Sequence, residues 1–382
     1  MINRKVAIVS AYNYNFGTVL QATALVRVLS RYVENVTVLK YNKKFSFQQL
    51  KRISNHTLLK SKLKIIIKNF LLRIHTSNKK WICQKNKKFY LFLKENIHFS
   101  EPIDGYQKLK ETIKTYDQVL LGSDQLWNPI NIGTHYFTLE FVPKYIPKST
   151  YATSFGVTKL TRKETQIMKE CIERIDNISV REVQAKELIS KFTNTKDIEI
   201  CFDPTLLLYP EEWNQIIEPK RLVNNKYVFA YFIGNQKKYR KVVSKFAKIH
   251  GYEVILIPHV DEYVWADREY MNSISMTAGP EEFVNLIRYA EYVFTDSFHG
   301  CIFSIIFQKE FFPFARFKSS SNHSMNSRLE SLFDILNIND RWINNFQDVE
   351  KILNIRVDYT VINNLLEKYR EKSLGYINKI LG

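Results

Sequence analysis

The stretch TDSFHG, Thr295 to Gly300, places a carboxylate, a hydroxyl, an imidazole and a glycine between two apolar runs, EYVF before it and CIFSIIF after it. An apolar run that ends in such a cluster and then resumes reads as a strand turning into a helix. Asp296 or Ser297 can cap that helix by accepting its first free N–H groups. The helix N-terminus favours an anion such as a phosphate or carboxylate. His299 brings a side chain whose ordinary pKa suits proton transfer near neutrality. Gly300 lets a ligand approach the backbone closely. Asp296 and His299 are therefore candidate catalytic residues, with Ser297 and Gly300 as candidate anion contacts. The competing reading is a capped helix whose histidine only packs.

A second cluster is GSDQLWNP, Gly122 to Pro129. Gly122 permits a tight turn, Ser123, Asp124 and Gln125 offer donors and acceptors suited to sugar hydroxyls, and Trp127 offers a face for a sugar ring. An ordinary turn and a packing tryptophan explain the same residues equally well. Near the N-terminus, Asn13, Asn15, Gly17 and Gln21 are placed to line the same cleft. Arg181, after the strand-like ISV, is a good fork for a carboxylate or phosphate, or else an ion-pair partner of Glu182. His259, Asp203 and Arg316 are weaker candidates, each of a type common in turns, caps and surfaces.

These residues need a scaffold that brings them together. A buried strand Val6 to Ser10, a polar loop, a helix from about Thr18 to Arg31 with Leu20, Ala24, Leu25 and Val28 on one face, and a second strand at VTVLKY form a β-loop-α-β opening. That order predicts a parallel, doubly wound sheet. The pattern restarts at Lys226 with YVFAYFIG, a helix from Lys237 to His250 and the strand EVILIPH. The expected fold is α/β, with two Rossmann-like domains facing a cleft: an N-terminal domain over 1–215 and a C-terminal domain over 216–382. The last helix, from about Val361 to Leu381, is amphipathic and is expected to pack back across the join. The polar clusters recur at the ends of predicted strands, where ligands bind in open α/β sheets.

The 382 residues carry a net charge of +18, and 45% of them are hydrophobic, enough for sizeable cores. The basic charge is concentrated: no Asp or Glu occurs from Asn35 to Lys94. A basic helical insertion is expected there, over about residues 45–96, and Leu58 to Ile74 alternates Lys and Arg with Leu and Ile as an amphipathic helix would. It suits an anionic membrane surface or polyanionic ligand, or is a solvated helical hairpin. No nucleic-acid-binding pattern accompanies it. No signal peptide and no apolar run of spanning length is evident, and four scattered cysteines give no metal or disulfide framework. A cytoplasmic location is expected, at the inner face of the membrane where the basic segment holds it. Dinucleotide, P-loop, zincin and hydrolase-elbow motifs are absent.

Six short motifs in order, NYNFGTVLQATAL, VLLGSDQLWNP, ATSFG, SVRE, FDPTLLL and TDSFHGCIFSIIF, resemble the bacterial polysaccharide pyruvyl transferase family. The resemblance runs from about Val6 to beyond Arg328. It implies a two-domain fold like GT-B glycosyltransferases and transfer of a pyruvyl group from phosphoenolpyruvate to sugar hydroxyls of a surface-polysaccharide precursor, giving a ketal and phosphate. It implies no cofactor and no obligatory metal, since preorganised N–H groups and arginines can stabilise the charge. His299 would be the acid/base or donor-contacting histidine, with Asp296 beside it. Arg181, Ser297 and Gly300 would line the donor site. Asn13, Gly17, Gln21, Gly122, Ser123, Asp124 and Gln125 would line the acceptor site. The implied partners are phosphoenolpyruvate and a lipid-linked or nucleotide-linked glycan. Better-known members carry an arginine two residues before the histidine, where this chain has Ser297. One donor-gripping cation is missing unless Arg316 or a lysine replaces it, and the alternative is a branch that uses another donor or binds phosphoenolpyruvate differently. Two other functions fit the same scaffold: a GT-B glycosyltransferase using a nucleotide sugar, and a non-catalytic glycan-binding protein.

Overall fold

The structure is a computed structural model describing residues 2–42, 79–133, 135–193, 197–258, 265–270, 272–316 and 326–382. The basic stretch Leu58 to Ile74 and His259 lie outside the described residues. Of the expected basic insertion, the helix Lys79–Asn96 is described.

The first sheet contains β1 (Ile2–Val9), β2 (Val33–Val38), β5 (Gln118–Asp124), β6 (Lys148–Thr153), β7 (Ile178–Val180) and β8 (Ile198–Ile200), in the order β2-β1-β5-β6-β7-β8. The short strands β3 (Tyr41–Asn42) and β4 (Ile103–Asp104) pair beside it. The second sheet contains β9 (Tyr227–Tyr231), β10 (Glu253–Ile257), β11 (Tyr292–Thr295) and β12 (Glu310–Pro313), in the order β10-β9-β11-β12. Among the described residues every strand pair is parallel. Strands covered by helices on both faces read as continuous apolar runs rather than alternations, and YVFAY of β9 is buried along its whole length. The chain thus has two Rossmann-like sheets in a GT-B-like arrangement.

The strand orders locate the crevices. From β1 the chain winds outward to β2 and later returns to β5 on the other side, so the order reverses between β1 and β5. In the second sheet it reverses between β9 and β11. Ligands bind outside the carboxyl ends of strands at such reversals. The register pairs Val9 with Leu121 and Thr295 with Tyr231, bringing the loops after β1 and β5, and those after β9 and β11, to neighbouring heights.

The two halves meet on aromatic packing. Phe16, opening the first helix (Phe16–Leu29), stacks on Phe283 at 4.6 Å and meets Tyr231 edge-on at 5.6 Å. One apolar cluster runs through both halves. The final helix, Tyr359–Leu381, also crosses: Arg370 Nε donates to the Leu206 carbonyl at 2.6 Å, Tyr376 Oη to that of Thr150 at 2.8 Å, and Gln118 Nε2 to that of Ile380 at 2.6 Å.

Candidate active site

His299 lies in the first turn of the helix Phe298–Ile306, which begins directly after β11. Ser297 caps that helix, its Oγ accepting from the Gly300 N–H at 3.3 Å. The first N–H groups of a helix have no intrahelical acceptor. This turn, with Ser297, Phe298 and His299, forms one wall of a cavity of about 180 Å³. Asn15, Gly17 and Thr18 come from the first loop and helix, Asp124 and Gln125 from the end of β5, Tyr231 and Ile233 from the end of β9, and Arg316 and Arg328 from the chain beyond β12.

The imidazole is seated from two sides. A Cβ built on Gly17 would stand 2.1 Å from His299 Nδ1, so only glycine at 17 leaves room for the ring. His299 Nε2 lies 3.5 Å from Asp203 Oδ2 and makes no hydrogen bond among the described residues. Asp203 in turn accepts from Thr205 N and Oγ1 through Oδ1, capping the short 3₁₀ turn Pro204–Leu207, and from Arg181 Nη1 at 2.6 Å through Oδ2. Burial alone would raise the Asp203 pKa. His299, Arg181 and the Thr205 hydroxyl outweigh it and hold the carboxyl below the usual range.

Arg181 is bound more tightly than an anion-gripping fork would be. Its guanidinium contacts Asp203 at 2.6 Å and Asp124 at 3.4 Å, stands 3.9 Å from Glu182, and lies 4.6 Å over the Phe298 ring. Of the two readings of this residue from sequence, the ion pair with Glu182 is present. The fork is taken up by Asp203 and Asp124, and the residue is not part of the cavity lining. It thereby organises two carboxylates beside the cavity. Asp124 adopts φ 78°, an uncommon conformation that aspartate tolerates, and accepts from Thr18 Oγ1 at 3.0 Å. Its burial is again outweighed, here by Arg181, His299 and Arg328, which keep it ionised.

Arg328 differs from Arg181. It is buried, its guanidinium lies 5.3 Å from the centre of the Phe298 ring, and it makes no ion pair among the described residues. Its Nη2 and Nε donate to the Gln125 side-chain oxygen at 3.1 and 3.2 Å in the amide orientation its neighbours dictate. Burial, then the repulsion of Arg181, lowers its pKa to about 9, which still leaves it charged at neutrality. Arg316 donates from Nη2 to the Asp296 carbonyl at 3.0 Å.

Other candidates fall elsewhere. The Asp296 carboxylate accepts from the Ile233 and Gly234 N–H groups at 2.6 and 2.8 Å, tying the β9 loop to β11, and is not part of the cavity lining. Gln21 is fully enclosed, donating to Ser10 Oγ and the Thr18 carbonyl and accepting from Ser123 N. Ser123 is likewise enclosed, its Oγ donating to the Ala152 carbonyl. At Gly122 a Cβ would meet the Tyr151 carbonyl at 2.3 Å, and at Gly300 the Thr295 hydroxyl at 2.5 Å. Both glycines thus serve close packing between elements. Trp127 is buried, with Nε1 donating to the Phe137 carbonyl, and offers no face to a sugar. Asn13 lines a separate cavity. Arg328, Thr18 and Phe298 were missed from sequence. Arg328 stood within SRLESLFDILNI, where an arginine among helix formers carries no signal of its own. No group of three His, Cys, Asp or Glu among the described residues is arranged to hold a metal ion.

The sequence profile of the polysaccharide pyruvyl transferase family matches residues 15–318. The chain belongs to this family. The matched span contains every cavity residue named above except Arg328. Among solved structures, UDP-N-acetylglucosamine 2-epimerase from Rickettsia bellii is similar at 12% identity, with a TM-score of 0.51, over 100% of this chain and 98% of that one. The UDP-GlcNAc 2-epimerase from Methanocaldococcus jannaschii is similar at 11% identity, with a TM-score of 0.50, over 93% and 99%. At these identities the likeness concerns the fold. No curated protein matches the sequence significantly.

Proposed function

We propose that this polysaccharide pyruvyl transferase family member moves a pyruvyl group from phosphoenolpyruvate to two hydroxyls of a sugar in a surface-polysaccharide precursor. The observation that carries this reading is Arg328, a buried guanidinium without a carboxylate partner among the described residues, facing the same small cavity as His299 and a helix N-terminus. Asp124 and Glu182 act on it only at a distance, so its burial is incompletely offset, and a small anion bonded to it directly would offset the remainder. Phosphoenolpyruvate brings both a carboxylate and a phosphate. Arg316 and Arg328 take the place of the arginine that Ser297 replaces, and Arg181 acts from behind the wall by orienting Asp124 and Asp203.

In the reaction C3 of the donor gains a proton, C2 gains two C–O bonds to the sugar, and its bond to the phosphate oxygen breaks. One hydroxyl proton is matched by that delivered to C3, and the other leaves with inorganic phosphate. His299, held against Asp203, is placed to exchange these protons. Asp124, kept ionised, is an acceptor for a sugar hydroxyl, and the helix N-terminus and arginines stabilise the departing phosphate. The acceptor would be lipid-linked or nucleotide-linked, and the basic segment would keep the enzyme near an anionic membrane face. Among the described residues no helix is long and apolar enough to cross a membrane.

Thermal melting tests the donor. Phosphoenolpyruvate at a hundredfold excess over Kd should stabilise the protein by about 2.7 kcal/mol, and Arg328→Gln should abolish the shift. A midpoint raised by a nucleotide sugar but not by phosphoenolpyruvate would overturn the reading in favour of glycosyl transfer.

A further inference from the structure

The loop after β1 has two faces. Asn15, at its end, joins Gly17 and Thr18 in lining the cavity already described, while Tyr12, Asn13 and Tyr14 line a second one of about 660 Å³. We propose that this second cavity is a subsite for a glycosyl phosphate or diphosphate, the part of the acceptor beyond the reacting sugar. The proposal rests on the donor assignment of the first cavity.

The walls have the chemistry for a sugar joined to a phosphate. Tyr12 is held edge-on to Phe99 at 5.1 Å and Tyr14 is stacked on Phe89 at 5.5 Å, so packing fixes both rings. Tyr90, on the helix Lys79–Asn96, adds a ring that is 54% exposed. Fixed aromatic surfaces with hydroxyl tips cover the C–H face of a sugar and bond its rim at small entropic cost. Lys40, following β2, and Lys94, on the same helix as Tyr90, both line the cavity and make no ion pair among the described residues. Glu101 also lines the cavity, and its carboxylate, which makes no hydrogen bond among the described residues, can accept from a sugar hydroxyl. Two cations suit a phosphate, and one carboxylate among tyrosines suits a sugar. Because one loop separates the cavities, an acceptor lying in the second would extend a hydroxyl past Asn15 toward the first.

The sugar phosphate can come free, on a nucleotide or on a lipid, and three probes separate these sources: galactose 1-phosphate, UDP-galactose and farnesyl-diphosphate-linked galactose. Binding is followed by saturation-transfer NMR of the sugar protons, with the native protein and with Tyr90→Ala and Lys94→Glu, both at exposed positions. At least one probe should bind with its sugar protons saturated, and each variant should bind it roughly tenfold more weakly. The melting shift with phosphoenolpyruvate should be unchanged in both variants. Absence of binding by all three probes, or binding indifferent to both substitutions, overturns the subsite. If phosphoenolpyruvate fails to shift even the native protein while a probe still depends on Tyr90 and Lys94, the donor assignment falls and the glycosyl-phosphate site stands.

Discussion

At the scale of single residues, the site works by exclusion as much as by contact. Gly17 lines the cavity without a side chain, and a methyl there would stand 2.1 Å from the His299 ring. Gly17→Ala should therefore displace the imidazole and lower the rate of phosphate release from phosphoenolpyruvate on the order of 100-fold, while circular dichroism shows a folded protein. A rate within twofold of native would show that the ring position does not matter. Asp203 serves a different purpose, joining His299, Arg181 and the Pro204–Leu207 turn. Its folded pKa lies below the ordinary 3.8, so it contributes stability fully above that pH and loses the contribution as pH falls below it. Removing one member of a buried ion pair costs about 3 kcal/mol, so Asp203→Asn should be destabilised by that amount at neutral pH in urea unfolding. The gap from the native protein should narrow on acidification below pH 3.8. A gap that is constant or widens in acid would refute the assignment.

At the scale of elements, the helix Phe298–Ile306 aims its N-terminus into the cavity because Ser297 stops it there. Loss of a serine cap costs about 1 kcal/mol, so Ser297→Ala should lower the melting midpoint by a few degrees, roughly 2–4 °C for a chain of this size or less. Phosphoenolpyruvate should still raise the midpoint of the variant, since the arginines are untouched. Disappearance of that shift would give Ser297 a direct part in binding. The loop after β9 depends on its neighbour in the same way. Asp296 fastens it through two backbone N–H groups, which is why a carboxylate placed like a catalytic one is spent on architecture.

At the scale of the molecule, the two sheets are joined by an aromatic seam around Phe16, Tyr231 and Phe283 and by the final helix. Domains with a sizeable apolar interface move as one more readily than those with a polar one. Arg370 of that helix bonds the Leu206 carbonyl inside the turn that Asp203 caps, with its guanidinium 4.4 Å over the Tyr209 ring. Arg370→Ala should cost about 2 kcal/mol of stability and leave the phosphoenolpyruvate concentration dependence of catalysis unchanged in the folded fraction. A raised KM would instead mean that the helix transmits strain to Asp203.

The sequence by itself determined the α/β class, the parallel strands and the loops at which polar clusters gather, because strand burial and helix periodicity are written locally in apolar spacing. It also placed His299 at a helix start after a strand, since the signals for both elements lie within a dozen neighbouring residues. It did not distinguish Gln21, Ser123 and Asp296, whose polar groups close bonds within the scaffold, from Asp124 and Gln125, which reach the cavity. Both sets are polar residues in strand-end loops or at a helix start, and their partners lie up to a hundred residues away, as for Gln21 with Ser123. Nor did it reveal Arg328. A guanidinium acquires its meaning only when folding removes it from water without supplying a carboxylate, and that balance of desolvation against pairing exists only in three dimensions.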